Sequence, residues 1–167
     1  MENYSVLMSV YYKEQAENLR EAIDSILNQT VKTNEFIIVK DGPLTEKLDN
    51  TIKEYVEEYP GVFKIVTLKK NMGLAKALNK GIEQCSNEII ARMDSDDISM
   101  PDRMERQLEA MEANRADILS GTIVEFDESV DKPTAKRELP EKNEQIIEFA
   151  KKRSPFNHPA VMYKKSS

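Results

Sequence analysis

Short, continuously apolar runs alternate along this chain with stretches whose apolar residues recur at helical spacing, and that alternation restricts it to one class of fold. Phe36-Ile37-Ile38-Val39 has no polar position, as a strand covered on both faces requires. Ser5 to Val10 and Ile89 to Met93 are strand candidates too, while Phe63 to Thr67 alternates and belongs nearer a sheet edge. Between these runs, Leu19, Ala22, Ile23, Ile26 and Leu27 share one helical face, and a second helix carries Leu48, Ile52, Tyr55 and Val56. Leu74, Ala77, Leu78 and Ile82 form a third inward face, and a fourth helix from Pro101 buries Met104, Leu108 and Met111. This order predicts an α/β fold: a mostly parallel central sheet with right-handed crossovers and helices on both faces. After Asn114 the rhythm changes. Ile118 to Phe126 reads as a strand, Pro133 to Leu139 as extended chain and Glu141 to Arg153 as a helix. At 167 residues, one domain is expected.

Open sheets of this kind hold ligands at the carboxyl ends of their strands. The fourth run ends in Asp94-Ser95-Asp96-Asp97, three carboxylates crowded into four residues. Like charges this close are costly unless a cation sits among them. Hard oxygen ligands, in a chain with one Cys and one His, favour Mg²⁺ or Mn²⁺ over zinc. A plainer account is a polar turn in which Asp97 or Ser99 caps the following helix. The second run ends in Asp41-Gly42, by itself an ordinary turn signal. The first ends at Ser9, with Tyr11 and Tyr12 beyond it. In Asn71-Met72-Gly73, the glycine supplies a backbone angle that other residues avoid.

Composition narrows the function classes. A formal net charge of −6 leaves no basic stripe for nucleic acid. No apolar run reaches the roughly 18 residues of a membrane span. The segment from Met1 has no basic region or cleavage site, so no signal peptide is expected, and a single Cys85 fits a reducing cytosol. Lys76 and Lys80, one turn apart, read as a solvated face unless Lys76 turns to a bound diphosphate. Lys151-Lys152-Arg153 and Lys164-Lys165 read as solvated ends, or as contacts for a lipid phosphate or membrane surface.

An ordered set of motifs resembles the N-terminal part of a bacterial family 2 glycosyltransferase with the GT-A fold. It comprises Met8-Ser9-Val10-Tyr11-Tyr12-Lys13-Glu14, Ser25-Ile26-Leu27-Asn28-Gln29-Thr30 and Ile37-Ile38-Val39-Lys40-Asp41-Gly42-Pro43. It continues with Asn71 to Ile82, Ala91-Arg92-Met93-Asp94-Ser95-Asp96-Asp97, Pro101-Asp102-Arg103 and Asn157-His158-Pro159-Ala160-Val161-Met162. The resemblance implies one nucleotide-sugar-binding domain over residues 1–167. Its donor would be a nucleoside diphosphate sugar, UDP-linked, held by Ser9, Tyr11, Asp41, Asn71, Lys76, Asp94 and Ser95. Asp41 would accept hydrogen bonds from base or ribose, and Ser9 would line the nucleoside pocket. Mn²⁺ or Mg²⁺ would sit on Asp96 together with Asp94, which also lies near the ribose; Asp97 is either a further ligand or a helix cap. His158 is placed on the acceptor-side rim, although a lone histidine is often structural. The reaction implied is inverting transfer to a saccharide or lipid-linked acceptor in cell-surface polysaccharide synthesis, in the cytoplasm at the inner face of the membrane.

Two departures matter. Many relatives carry two acids before the glycine of the second strand, whereas Lys40 precedes Asp41 here, facing either a phosphate or solvent. After Asp131 only Glu138, Glu141, Glu144 and Glu148 remain as carboxylates, none in a matching motif, so the catalytic base and acceptor site are expected beyond Ser167. Two other classes also set polar groups at the strand ends of a parallel sheet. A sugar-phosphate nucleotidyltransferase needs a glycine-rich basic loop after the first strand, and Tyr11-Tyr12-Lys13-Glu14 is not one. A receiver-type module needs an acidic pair there, and Ser9-Val10-Tyr11 supplies none.

Overall fold

The structure, a computed structural model, describes residues 2–126 and 132–166; Met1, Asp131 and Ser167 lie outside the described residues. Strands and helices alternate as β1 (Tyr4–Val10), α1 (Ala16–Leu27), β2 (Glu35–Lys40), α2 (Glu46–Glu58), β3 (Phe63–Thr67), α3 (Leu74–Gln84), β4 (Ile89–Arg92) and α4 (Arg103–Asn114). They are followed by β5 (Ile118–Ser120), β6 (Ile123–Phe126), β7 (Pro133–Arg137), α5 (Asn143–Ala150), a 3₁₀ turn (His158–Ala160) and β8 (Val161–Lys164). The main sheet has the order β3-β2-β1-β4-β8-β5. Its first four strands are parallel, and β8 runs antiparallel to both β4 and β5.

Continuous apolar runs are explained by burial on both faces. Val6, Met8, Phe36, Ile38, Ile89 and Ala91 point into one core with Leu19, Ile23, Ile26, Leu48, Ile52, Met104 and Leu108 from α1, α2 and α4. Leu7, Ile37, Val39 and Ile90, one residue out of step, meet Ala77 of α3 and Cys85 on the other face. Gly81 lets α3 lie close here, since a Cβ would stand 2.3 Å from Leu7 Cδ1. β3 is the sheet edge, as its alternation implied.

Three expectations need correction. Ile118 to Phe126 is not one strand: β5 pairs with β8, whereas β6 pairs with β7 in a separate two-stranded sheet. The break falls at Gly121, whose N–H donates to Ala160 O. The last helix is shorter than residues 141–153 and buries none of its residues. Leu74 does not face inward; it is half exposed at the start of α3. Among the described residues, no helix is long and apolar enough to cross a membrane.

Candidate functional site

The strand order reverses between β1 and β4, because β2 and β3 lie to one side of β1 and β4 to the other. At this switch point the carboxyl ends of the strands open a crevice. A cleft of about 500 Å³ lies there, lined by residues following β1, β2 and β4 and by the loop before α3. It unites Ser9, Tyr11, Asp41, Asn71, Asp94, Ser95 and Asp96 from the expected set. Lys76 is exposed on α3, and neither it nor Asp97 nor His158 lines the cleft.

Asp41 organises the near wall. Its carboxylate is buried and accepts from the N–H groups of Met72 (2.7 Å) and Gly73 (3.1 Å), which fixes the Asn71-Met72-Gly73 loop over the crevice. Gly42 makes this approach possible. Its φ is +89°, and a Cβ there would stand 2.6 Å from Asn71 N. Gly73 has φ +87° with open space around it, so conformation alone demands glycine. Lys40 faces neither phosphate nor open solvent: its ammonium pairs with Asp49 of α2 at 2.6 Å.

The far wall is the acidic loop. Arg92 Nε and Nη2 both lie 3.2 Å from Asp94 Oδ1. Ser95, buried, donates to Glu14 Oε2 at 2.6 Å, joining this loop to the turn after β1. Burial, then the Glu14 and Asp94 carboxylates, raise the pKa of Asp96. Asp97 is pushed up to about 6 by burial, then by Asp94 and Asp96, against the pull of Arg103 and Arg92. Beneath them Arg103 is half-buried, and desolvation brings its guanidinium down to about 10 despite Asp97, Tyr4 and Asp94. Its Nη2 donates to Arg92 O (2.8 Å) and its Nε to Gln107 Oε1 (3.0 Å).

Neither Asp97 nor Ser99 caps α4; the flanking Asp102 makes no side-chain cap either. That role belongs to Gln29, buried at the end of α1. Its Oε1 accepts from Met104 N (3.0 Å), while its Nε2 donates to Met100 O (2.7 Å) and Ser99 Oγ (3.2 Å). Ser25 Oγ accepts from Ser99 N at 2.9 Å. The Ser25 to Thr30 motif thus clamps the chain that leaves the acidic loop.

Sequence reasoning missed Lys13, Glu14, Gln15, Asn18 and Leu74 as cleft residues. Glu14 carried a usable signal, as the one acid directly after the first strand. For a dication, the chemistry of the loop fits: carboxylates raised by desolvation, and then by one another's charge, are short of positive charge. Among the described residues, no three His, Cys, Asp or Glu side chains converge as a cage. Mg²⁺ and Mn²⁺ do not require one, since one or two carboxylates, substrate phosphates and water suffice. Asp94 and Asp96 are the cleft-lining acids of the loop that meet that description.

His158 lines a second concavity of about 430 Å³, together with Arg137, Arg153, Ser154 and Asn157. Glu138, Glu141, Glu144 and Glu148 are exposed and line neither hollow; Glu138 pairs with Lys136 and Glu148 with Lys151.

The sequence profile of glycosyl transferase family 2 matches residues 5–166. The chain belongs to that family. It is 44% identical over 163 residues to the amylovoran biosynthesis glycosyltransferase AmsE of Erwinia amylovora, covering 97% of this chain and 60% of AmsE. It is 41% identical over 163 residues to an Escherichia coli UDP-Gal:alpha-D-GlcNAc-diphosphoundecaprenol beta-1,3-galactosyltransferase, covering 97% of this chain and 58% of that enzyme. The chain therefore spans about three-fifths of the length of these curated relatives. In structure it resembles Staphylococcus aureus TarS 1-349 in complex with UDP, with TM-score 0.69, 18% identity and coverage of 98% of this chain and 47% of that one. It also resembles the mannosyltransferase PcManGT of Pyrobaculum calidifontis in complex with GDP-Man and Mn²⁺, with TM-score 0.68, 16% identity and coverage of 98% and 44%. The fold is GT-A: the mostly parallel sheet, with helices on both faces, is shared with these solved glycosyltransferase neighbours.

Proposed function

We propose that this chain is a single nucleotide-sugar-binding domain of a glycosyltransferase acting in cell-surface polysaccharide synthesis. The donor is a nucleoside diphosphate sugar, UDP-linked, and the acceptor is a saccharide or lipid-linked saccharide, met at the inner face of the membrane and glycosylated with inversion. One observation carries the reading: Ser9, Asp41 and the Asp94 to Asp96 loop, from three separate strand ends, line one cleft at the topological switch point. Ser9 and Tyr11 line the nucleoside end, and Asp41 holds the Asn71 to Gly73 loop as its wall. Arg92 and Glu14 orient Asp94 and Ser95. Asp94 and Asp96 would hold Mg²⁺ or Mn²⁺, which when bound neutralises the departing diphosphate. AmsE and the E. coli galactosyltransferase support the polysaccharide and UDP assignments through their names.

Calorimetric titration with UDP, GDP, CTP and acetyl phosphate, in Mn²⁺ and in chelator, tests this reading. One UDP per chain is expected, bound more tightly in Mn²⁺. Equal UDP affinity in chelator overturns the metal bridge. A response to acetyl phosphate without nucleotide binding overturns the donor site.

A further inference from the structure

We propose that the second concavity holds the diphosphate of a lipid-linked acceptor, with Arg153 and His158 as its anion-reading groups. The inference rests on the glycosyltransferase reading for calling this ligand an acceptor. The chain carries a net −6, and four of the residues lining the nucleotide cleft are acids, yet among the described residues no Asp or Glu lines the second concavity. Arg137 is neutralised by Glu125 at 2.9 Å. Arg153 has no carboxylate partner among the described residues, and its guanidinium lies 5.5 Å from the Phe149 ring centroid. A guanidinium left unpaired on an acidic protein is a ready partner for phosphate oxygens.

The hollow is also built rather than incidental. Asn157, nearly fully buried, donates from Nδ2 to Gly121 O (2.9 Å) and Arg137 O (3.3 Å), and from its backbone N–H to Ser120 Oγ (2.9 Å). His158 Nε2 lies 3.0 Å from Ser154 Oγ, which fixes the ring beside Arg153. Ile123, Leu139 and Phe156 supply apolar lining. A bare phosphate would gain nothing from that lining, whereas the first isoprene units of a lipid diphosphate would bury against it.

β8 is antiparallel to β4 with Met162 opposite Ala91, so the His158–Ala160 turn arrives at the end of β4 from which the acidic loop leaves. A chain of contacts joins the two: Arg103 bonds Arg92 O and Gln107, and Gln107 Nε2 donates to Ala160 O at 2.8 Å. An acceptor must lie beside the donor for its hydroxyl to reach the sugar, and this concavity occupies the same rim of the sheet.

The test is titration of the chain with farnesyl diphosphate, inorganic pyrophosphate and farnesol, at fixed Mg²⁺ and saturating UDP. One farnesyl diphosphate per chain is expected with UDP in place, bound more tightly than either pyrophosphate or farnesol. Arg153→Ala and His158→Ala should each weaken it about tenfold or more, with UDP affinity unchanged as proof of folding. Undiminished binding in both variants overturns the proposal, as does competition by UDP or equal affinity for pyrophosphate. Failure of UDP alone to bind, with Arg153-dependent farnesyl diphosphate binding intact, counts against the nucleotide cleft and not against this site.

Discussion

Four carboxylates line the cleft, and their neighbours give each a different task. Asp41 spends both oxygens on the Met72 and Gly73 amides, Glu14 holds Ser95 and Asp94 is drawn to Arg92. Asp96 is exposed as a residue, but its carboxyl is partly desolvated within the loop, and this with the Glu14 and Asp94 charges raises its pKa. Having no fixed side-chain partner among the described residues, it is the freest of the four to meet a cation. Asp96→Asn should therefore abolish the metal-dependent part of UDP binding with stability unchanged or slightly higher, because repulsion is relieved. Asp97→Asn should spare UDP binding, since Asp97 does not line the cleft; equal losses in calorimetry would reverse this division. Glu35 is a separate case at the other end of β2. Burial alone would raise its pKa, but Lys64, Ser5 and Ser86 outweigh it and bring the value from 4.5 to about 2. A carboxyl lowered on folding contributes stability above its unfolded pKa and loses it as pH falls through the folded one. Urea melts should show Glu35→Gln less stable by on the order of 2–3 kcal/mol near neutrality, the exposed Lys64 being partly screened. The gap should close between pH 4.5 and 2; a gap constant over that window would mean that the Glu35 charge contributes nothing.

At the scale of elements, the loops that shape the cleft depend on backbone approach more than on side chains. Gly42→Ala places a Cβ 2.6 Å from Asn71 N and 2.9 Å from Lys70 C, and backbone cannot move aside cheaply. Gly73→Ala meets no atom within 4 Å, so only the left-handed conformation opposes it. The second change should cost about 1–3 kcal/mol, because φ +87° with ψ +154° is a backbone region that essentially only glycine occupies. The first should cost more and also weaken UDP binding, because the Asn71 wall shifts. Equal costs in urea melts, with UDP affinity kept, would show that the Gly42 contact does not shape the site. These elements were legible to different degrees. The strands and helices up to Asn114 could be read because each buried face repeats with a local period. The division of Ile118 to Phe126 could not, because it depends on which strand becomes the partner, and β8 lies some forty residues on. The start of α4 was misread for the same reason: Gln29, far upstream in sequence, takes the place of a local cap.

On the scale of the whole molecule, the candidate cleft was legible because one topological rule points to strand ends, and Ser9, Asp41 and Asp94 stand at three of them. What periodicity could not show is that the chain has two grades of packing. β1, β2 and β4 are covered on both faces by α1, α2, α4 and α3. The β6–β7 pair is a two-stranded sheet on its own, and α5 buries none of its residues. Two strands alone are marginal in water, and poorly buried units open well below the global free energy. Amides of β1, β2 and β4 should therefore exchange only through global unfolding, and those of β6, β7 and α5 through local opening. UDP with Mn²⁺ at 100 times its dissociation constant adds about 2.7 kcal/mol to the folded state, which should slow the core amides about a hundredfold. The β6–β7–α5 excursion should keep its own rate, because it contributes nothing to the nucleotide cleft. Hydrogen exchange read by mass spectrometry separates the two sets. Equal slowing in both would show that the Arg103–Gln107–Ala160 contacts bind the excursion and the nucleotide cleft into one cooperative unit, so that donor binding also orders the Arg153 concavity.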